Sequence, residues 1–303
     1  MGIGGHHPQG GDGAPPGSLS ILTRMNSTGT TWWPTLCRVC RHWQQQMLCG
    51  ACVELAALRA PRCPRCGLAH AAPPDGSPAG TAACTRCEDW PPSFDHALAA
   101  LDYVAPWSSL IASLKFRQDP SLAGFLGGML AQQIERRWAS PMAGASTRHH
   151  PMRGGTAPRV AGQSSANRRT AMLGRGAPTV VLPVPLSAGR LRERGYNQAW
   201  LLARAAARPW RLPLLPDGLI RQRETARLMS LDADERSEQI RGAFSVNPKR
   251  QSEIAGRHVA VVDDVLTTGA TLNEIASTLW QAGAREVSVW VIARTPPPLD
   301  DQA

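Results

Sequence analysis

Residues 261–272 read VVDDVLTTGATL, in which two acids follow an apolar run and precede two threonines and a glycine. The segment just before, 258–262, is short and rich in valine, which predicts a buried parallel strand. The segment just after, 270–283, carries apolar residues at helical spacing and stops at a glycine, which predicts a helix. We therefore expect a loop between the carboxyl end of a strand and the amino end of a helix, where open α/β sheets bind ligands.

The residue types in this loop fit a sugar phosphate. Free amides at a helix start favour a phosphate, and Gly269 lets the backbone approach it closely. Further hydroxyl donors are Thr267, Thr268 and Thr271. Asp263 and Asp264 repel a phosphate and suit ribose hydroxyls or a hydrated magnesium ion instead. Acid pairs after a strand are also typical of receiver-type domains and Walker B sites, but the chain contains no G-x-x-x-x-G-K-[ST] motif.

A cluster of arginines follows a second predicted strand. Residues 179–182 read as a buried strand that Pro183 and Pro185 stop. The arginines that follow are Arg190, Arg192 and Arg194. Guanidinium groups bind diphosphate oxygens bidentately, and the alternative is a solvated basic loop. Asn197 and Gln198 then open a helix.

Lys115 closes an earlier apolar helix, after an alternating segment at residues 97–103. A solvated helix end and a phosphate contact are equally compatible with this position.

All eight cysteines fall in C-x-x-C pairs between residues 37 and 87: Cys37/Cys40, Cys49/Cys52, Cys63/Cys66 and Cys84/Cys87. Each pair presents two thiolates to one ion, so four pairs predict two closed, structural zinc sites. Sequential pairing spans short loops of 8 and 17 residues, and short loops close at a lower entropic cost. A cross-braced arrangement is the alternative. His42 and His70 are expected at the surface.

Length and composition set broader limits. The chain has 303 residues, 43% of them hydrophobic, enough for one sizeable core and a small module. It has no apolar run of the ~18–20 residues that span a membrane, and its amino terminus lacks the apolar core of a secretory signal. A cytoplasmic location is therefore expected. The net charge of +10 is compatible with phosphate ligands or nucleic acid. Met25 is a second candidate start beside Met1.

The cysteine pairs, an LKF helix end, LPVPLSAGRLRERGYNQA and VVDDVLTTGATL, in that order, resemble the ComF family. Members of this family are phosphoribosyltransferase-like proteins linked to DNA uptake in competent bacteria. The resemblance covers about residues 36–138 and 179–295. It implies an α/β fold of the type I phosphoribosyltransferase class, with a parallel sheet flanked by helices and a double zinc ribbon ahead of it. It also implies phosphoribosyl diphosphate (PRPP) as the ligand, with Mg²⁺.

The resemblance implies roles for particular residues. Asp263 and Asp264 would face the ribose hydroxyls. The 5-phosphate loop would comprise Val265, Leu266, Thr267, Thr268, Gly269, Ala270 and Thr271. Further PRPP contacts would come from Arg190, Arg194, Asn197 and Gln198. The chain departs from the family pattern at Leu228, where glutamine is usual, and at Gln239, where asparagine is usual.

We expect five segments: a disordered N terminus (1–33), the double zinc ribbon (34–90), the phosphoribosyltransferase-like domain (91–295), a disordered insert within it (139–178) and a disordered tail (296–303).

Two functions stay open at the level of sequence. One is phosphoribosyl transfer to an acceptor that the sequence does not identify, in support of DNA uptake. No dedicated general base for an acceptor is evident. The other is a non-catalytic adaptor that uses PRPP as a ligand and binds single-stranded DNA and competence or recombination proteins. Its DNA surface would combine the arginine excess with Trp32, Trp33 and Trp43, unless these tryptophans pack around the zinc sites.

Overall fold

The computed structural model describes residues 34–56, 61–69, 82–138, 173–174, 176–224 and 238–297. The predicted disordered N terminus lies outside these ranges, as do most of the predicted insert and tail. Four other residues named above are also outside them: Trp32, Trp33, His70 and Leu228. The domain boundaries stay predictions.

A cysteine-rich segment with short strands and helices precedes a larger unit in which longer helices and strands follow one another. In chain order they are β1 (Thr35–Leu36), β2 (Trp43–Gln44), α1 (Gly50–Ala56), α2 (Thr85–Asp89), β3 (His96–Asp102), α3 (Trp107–Phe116), α4 (Leu122–Trp138), β4 (Val180–Pro183), α5 (Ala188–Arg194), α6 (Gln198–Ala207), β5 (Leu219–Arg221), β6 (Phe244–Val246), β7 (His258–Leu266), α7 (Ala270–Gln281) and β8 (Glu286–Arg294). Every helix within the described ranges is too short or too polar to cross a bilayer.

Four parallel strands form the central sheet in the order β3-β8-β7-β4. The central strands β7 and β8 are largely buried and rich in valine, as expected for a parallel sheet covered on both faces. The strands predicted at 179–182 and 258–262 are confirmed in this sheet. A separate antiparallel pair, β5 with β6, stands beside it.

Helices cover both faces of the sheet. Ala260 and Val262 of β7 belong to the core that α4 and α6 complete, whereas Val259 and Val261 belong to the core beneath α7. Successive side chains of a strand point to opposite faces. Asp264 therefore points to the α4 and α6 side, and the acid before it points to the α7 side.

The cysteine-rich segment packs directly on this α/β unit. The β1–β2 hairpin and α1 carry the first four cysteines, and Cys37, Leu48 and Cys52 share a core with α3 and α4. The next cysteine pair lies against the edge of the sheet, where Ala97 N–H of β3 donates to Pro64 O at 2.9 Å. The segment therefore gains buried contacts from the sheet and its helices.

Two boundaries differ from the sequence expectation. Strand β7 does not stop at residue 262 but continues to Leu266, because β8 pairs with it as far as Arg294. The loop is thereby reduced to residues 267–269. The last part of the predicted insert is ordered against the sheet, since Leu173 is buried and Gly176 O lies 2.9 Å from His258 Nδ1.

Candidate functional site

The loop after β7 presents backbone amides at the start of α7, of which that of Ala270 donates to Thr268 Oγ1 at 3.5 Å. Thr267 and Thr268 are exposed, and Gly269 has a φ of 91°, a left-handed value that glycine adopts without strain. The first helical hydrogen bond runs from Asn273 N–H to Gly269 O at 2.8 Å. The amides of residues 270–272 precede that bond, so α7 itself does not use them. They form a cradle suited to an anion.

Asp264 forms a buried ion pair that the sequence did not predict. Its side chain is almost inaccessible, with the residue 2% exposed, and its Oδ1 lies 2.8 Å from Lys115 Nζ. Burial lowers the pKa of Lys115, but the charges of Asp264 and Asp263 raise it and prevail. Lys115 is thus neither a solvated helix end nor a free phosphate ligand. It is the cation that balances the acid pair.

The second oxygen of this buried acid has no partner among the residues that the structure describes. Asp264 Oδ2 is buried and accepts no hydrogen bond within the described part of the chain. Buried polar atoms usually have partners, so an unpaired carboxylate oxygen at the end of a strand suits a bound hydroxyl or hydrated cation.

The pKa of Asp263 lies near neutral pH. Its pKa is raised to about 7, first by burial and then by the charge of Asp264, while Lys115 and Arg194 lower it. Asp263 Oδ1 also accepts the Asp264 N–H at 2.8 Å. Two carboxylates this close favour a bound cation or diol over two free charges.

The predicted arginine loop is a short helix, α5. Ser187 caps it by accepting the Arg190 N–H at 3.3 Å, and Gly195 ends it with a φ of 76°. The Arg194 guanidinium lies over the Phe116 ring, 5.2 Å from its centroid. Its charge acts on Asp263, so α5 brings positive charge to the acid pair.

Two residues predicted to contact PRPP, Asn197 and Gln198, stabilise the start of α6. Asn197 Oδ1 accepts the N–H groups of Ala199 and Trp200 at 2.9 and 3.3 Å, and its Nδ2 donates to Val184 O at 2.9 Å. It is therefore the N-cap of α6. Gln198 is buried in the first turn of that helix. Ligand contacts by these two residues stay predictions.

Three charged residues near the site were missed by sequence reasoning. Burial and then the charge of Arg190 lower the pKa of Arg221, while Asp263 raises it, so Arg221 lies in the same electrostatic environment. Glu224 Oε1 accepts the Gly189 N–H at 2.9 Å and holds the start of α5. Arg294, a charge at the end of the apolar run EVSVWVIAR, donates to Leu266 O at 2.9 Å. That position, a cation ending a buried strand, was the available signal.

The eight cysteines form two clusters with the predicted sequential pairing. The first cluster is Cys37, Cys40, Cys49 and Cys52, and the second cluster is Cys63, Cys66, Cys84 and Cys87. Within each cluster the sulfur atoms lie within 4.8 Å of one another. His42 is exposed and belongs to neither cluster.

The chemistry of both clusters fits zinc. Four sulfur donors converge in each, and a backbone N–H supports one sulfur in each, from Cys49 to Cys37 Sγ at 3.4 Å and from Cys84 to Cys63 Sγ at 3.3 Å. A hydrogen bond from Cys66 lowers the pKa of Cys63 to about 4, which favours the thiolate that binds metal. Such a donor set is typical of a structural Cys₄ zinc ribbon.

The fold and the site define a phosphoribosyltransferase-type protein. A family model described as "Phosphoribosyl transferase domain" matches residues 228–301, which include β7 with the acid pair, the loop, α7 and β8.

Sequence relatives narrow the class. DNA utilization protein YhgH of Salmonella typhi is 31% identical over 268 residues, which cover 86% of this chain and 98% of that protein. Competence protein F of Haemophilus influenzae is 30% identical and covers 70% of this chain and 78% of its own length. Competence protein ComFC of Bacillus subtilis is 32% identical over 120 residues, or 38% of this chain and 45% of that protein. The chain belongs to the ComF family.

Proposed function

We propose that this protein binds PRPP with Mg²⁺ at the carboxyl end of β7. The observation that carries the proposal is the acid pair, with one buried oxygen unpaired, next to the amide cradle of α7. The cradle takes the 5-phosphate, supported by the Thr267, Thr268 and Thr271 hydroxyls. Asp263 and Asp264 take the ribose hydroxyls and organise the hydrated magnesium ion.

The arginines of α5 complete the proposed site. Arg190 and Arg194 neutralise the diphosphate, in which negative charge grows if it leaves. In a transfer reaction, an acceptor nucleophile bonds to the anomeric carbon while the bond from that carbon to diphosphate breaks. The acceptor's proton passes to solvent or to a group on the acceptor side. The proposed role of the protein is support of DNA uptake in the cytoplasm, by analogy with the competence relatives.

The loop glycine provides the test of PRPP binding. Gly269→Val places a β-branched side chain at a φ of 91°, and Gly283→Val does the same at 87° at the other end of α7. Both variants should lose stability of roughly 1–2 kcal/mol from backbone strain. Calorimetric titration with Mg²⁺ and PRPP should show a loss of about tenfold or more for Gly269→Val alone. Unchanged affinity in that variant would remove the phosphoribosyl interpretation of the loop.

Zinc in both clusters is part of the proposal. Elemental analysis of protein purified without chelator should find about two zinc ions per chain. Cys49→Ser should release one ion and destabilise the first cluster. Protein without zinc would contradict this, and one ion per chain would assign metal to a single cluster.

A non-catalytic DNA adaptor is the second candidate. The observation that favours it is Trp43, which is 65% exposed rather than packed around the cysteines, and Arg41, two residues earlier in the chain, is exposed as well. An exposed ring next to a cation is a stacking platform for single-stranded nucleic acid. The names of the relatives, a DNA utilization protein and two competence proteins, point the same way.

Two assays separate the candidates. Release of diphosphate from PRPP across a panel of bases and amines would establish transfer. Titration with single-stranded DNA should show affinity that falls steeply with salt if the adaptor function holds. Trp43→Ala should then weaken binding by about 1–3 kcal/mol, while Trp280→Ala, on α7, should not.

A further inference from the structure

One buried arginine joins the second cluster to the phosphate loop. Arg294 ends β8, and the residue is 6% exposed. Its Nε donates to Cys66 O at 3.0 Å. Its Nη1 donates to Leu266 O at 2.9 Å and to Thr267 O. A single planar guanidinium therefore fixes the Cys63/Cys66 pair and the start of the loop relative to each other.

The second cluster also provides a counter-charge for the buried guanidinium of Arg294. No carboxylate lies within ion-pair distance of it in the described part of the chain. A buried cation without a counter-ion is costly. The carbonyl that accepts from Arg294 Nε belongs to Cys66, a member of the second cluster, so this cluster lies next to the charge. A zinc ion with four thiolates is a net anion, so the metal-loaded cluster supplies the balancing charge.

The first cluster has no such connection. Cys37 and Cys52 pack in the core with α3 and α4. Arg38, which follows Cys37 in the chain, pairs with Asp119 at 3.1 Å. None of the described hydrogen bonds of Arg294 reaches it.

We propose that Arg294 is a positioning residue that couples the metal at the second cluster to the affinity of the loop for its phosphate ligand. Loss of that metal removes the counter-ion and frees Cys66, so Arg294 no longer holds the carbonyls of Leu266 and Thr267. The amides of residues 270–272 then lose their fixed direction. The ligand assigned here is PRPP, so this inference rests on the proposed function. By reciprocity, bound PRPP raises the affinity of the second cluster for its metal.

The test compares the two clusters in the full-length, zinc-loaded protein. Cys84→Ser impairs the second cluster and Cys40→Ser impairs the first. Cys84→Ser should weaken Mg²⁺–PRPP binding roughly fivefold or more in calorimetry, and Cys40→Ser less than twofold. At equilibrium with a chromogenic chelator, PRPP should reduce the loss of one of the two zinc ions, and that ion should be the one absent from Cys84→Ser. Equal effects of the two variants on PRPP affinity would overturn the coupling.

Arg294→Lys keeps the charge but loses the planar fork. It should retain both zinc ions and a folded circular dichroism spectrum, weaken PRPP binding, and abolish the effect of PRPP on zinc loss. Wild-type affinity in Arg294→Lys would show that the arginine only supports the fold.

A ligand-free measurement separates this inference from the proposed function. Hydrogen exchange of amides 266–272 should accelerate in Cys84→Ser and Arg294→Lys, and stay at the wild-type rate in Cys40→Ser. If wild-type protein does not bind PRPP, the proposed function fails, while faster exchange would still support the coupling. Unchanged exchange in both variants would refute it whatever the ligand.

Discussion

The two ends of the parallel sheet both bury ionisable groups, but they treat them differently. At the carboxyl end, Asp264 has one oxygen paired with Lys115 and one without a partner among the described residues. Next to it, the pKa of Asp263 is raised to about 7. At this end the protein leaves charge and hydrogen-bonding capacity that its own residues do not satisfy.

At the amino end, His258 is fully satisfied. Its Nδ1 lies 2.9 Å from Gly176 O and its Nε2 lies 2.7 Å from Ser288 Oγ. Burial lowers the pKa of His258 to about 4, so the ring is neutral, donating from Nδ1 and accepting at Nε2. The comparison separates two groups: both ring nitrogens of His258 are used within the fold, whereas Asp264 keeps an oxygen that a ligand can use.

The sharpest test of this difference removes one partner of the carboxyl-end ion pair. Asp264→Asn removes the ion-pair partner of Lys115, whose side chain is 21% exposed and still feels the charge of Asp263, so the free energy of unfolding should fall by up to about 3–5 kcal/mol. Mg²⁺–PRPP affinity should fall as well, because an amide is a poorer partner for a metal-organised diol. Denaturant melts and calorimetry measure the two effects separately.

The control is the double variant Asp264→Asn/Lys115→Met, which removes both charges. Stability should recover in part, since an apolar replacement of a buried pair is often neutral, whereas affinity should not recover. A single variant as stable as wild type would mean that the ion pair does not form.

That ion pair marks where sequence reasoning reached its limit. The strand–loop–helix unit around residues 261–272, the strand at 179–182 and the cysteine pairing were all predictable, because each depends on local pattern or short loops. The partner of Asp264 was not, since Lys115 lies on a distant helix and only the fold brings it near. For Lys115 itself, the sequence was compatible with either a solvated helix end or a phosphate contact.

Local boundaries failed for a related reason. The acids at 263 and 264 read as the start of a loop, yet pairing with β8 keeps β7 extended to Leu266. The segment with the three arginines was also predicted to be a loop. It forms a helix, because Ser187 caps its start and Gly195 ends it. Tertiary pairing and capping override the preference of charged residues for loops.

At the amino end, His258→Phe should destabilise the protein without touching the ligand. The substitution removes the partner of Ser288 Oγ, which is buried, at a cost of about 1–3 kcal/mol, whereas Gly176 is exposed and its carbonyl can bond to water. Mg²⁺–PRPP affinity should equal that of wild type. A large loss of affinity at matched foldedness would break the distinction between the two ends.

The same variant should change the acid response. Because the folded-state pKa of His258 is lowered to about 4, its contribution to stability is present above the ordinary value of 6.5 and is lost as pH falls through about 4. His258→Phe should lack that part of the acid sensitivity, which urea melts at pH 7 and pH 4.5 would measure. Identical pH dependence in the two proteins would argue against a buried neutral histidine.

Asp263 should respond to pH with the opposite sign. Its folded-state pKa is raised to about 7, so its contribution to the stability of the ligand-free protein is present at low pH and is lost as pH rises through about 7. Ligand binding favours the carboxylate, so affinity should rise about tenfold from pH 6 to pH 8. Asp263→Asn is the control, because PRPP's own titration affects both proteins equally. Parallel pH profiles would place the pKa of Asp263 elsewhere.

The smallest expected effect belongs to the exposed hydroxyl of Thr268. Thr268→Val keeps the shape of the side chain and removes one donor to the proposed phosphate, which should cost 0.5–1.5 kcal/mol, or roughly two- to tenfold in affinity. Thr278→Val is the matched control, because the Thr278 hydroxyl donates to Glu274 O within α7 at 2.9 Å, away from the cradle. Both variants should melt close to wild type, since neither hydroxyl lies in the core. Calorimetry with Mg²⁺ and PRPP that separates the two threonines would assign the ligand to the loop side of α7. Equal affinities for both variants would leave the backbone amides, without the Thr268 hydroxyl, as the groups that hold the phosphate.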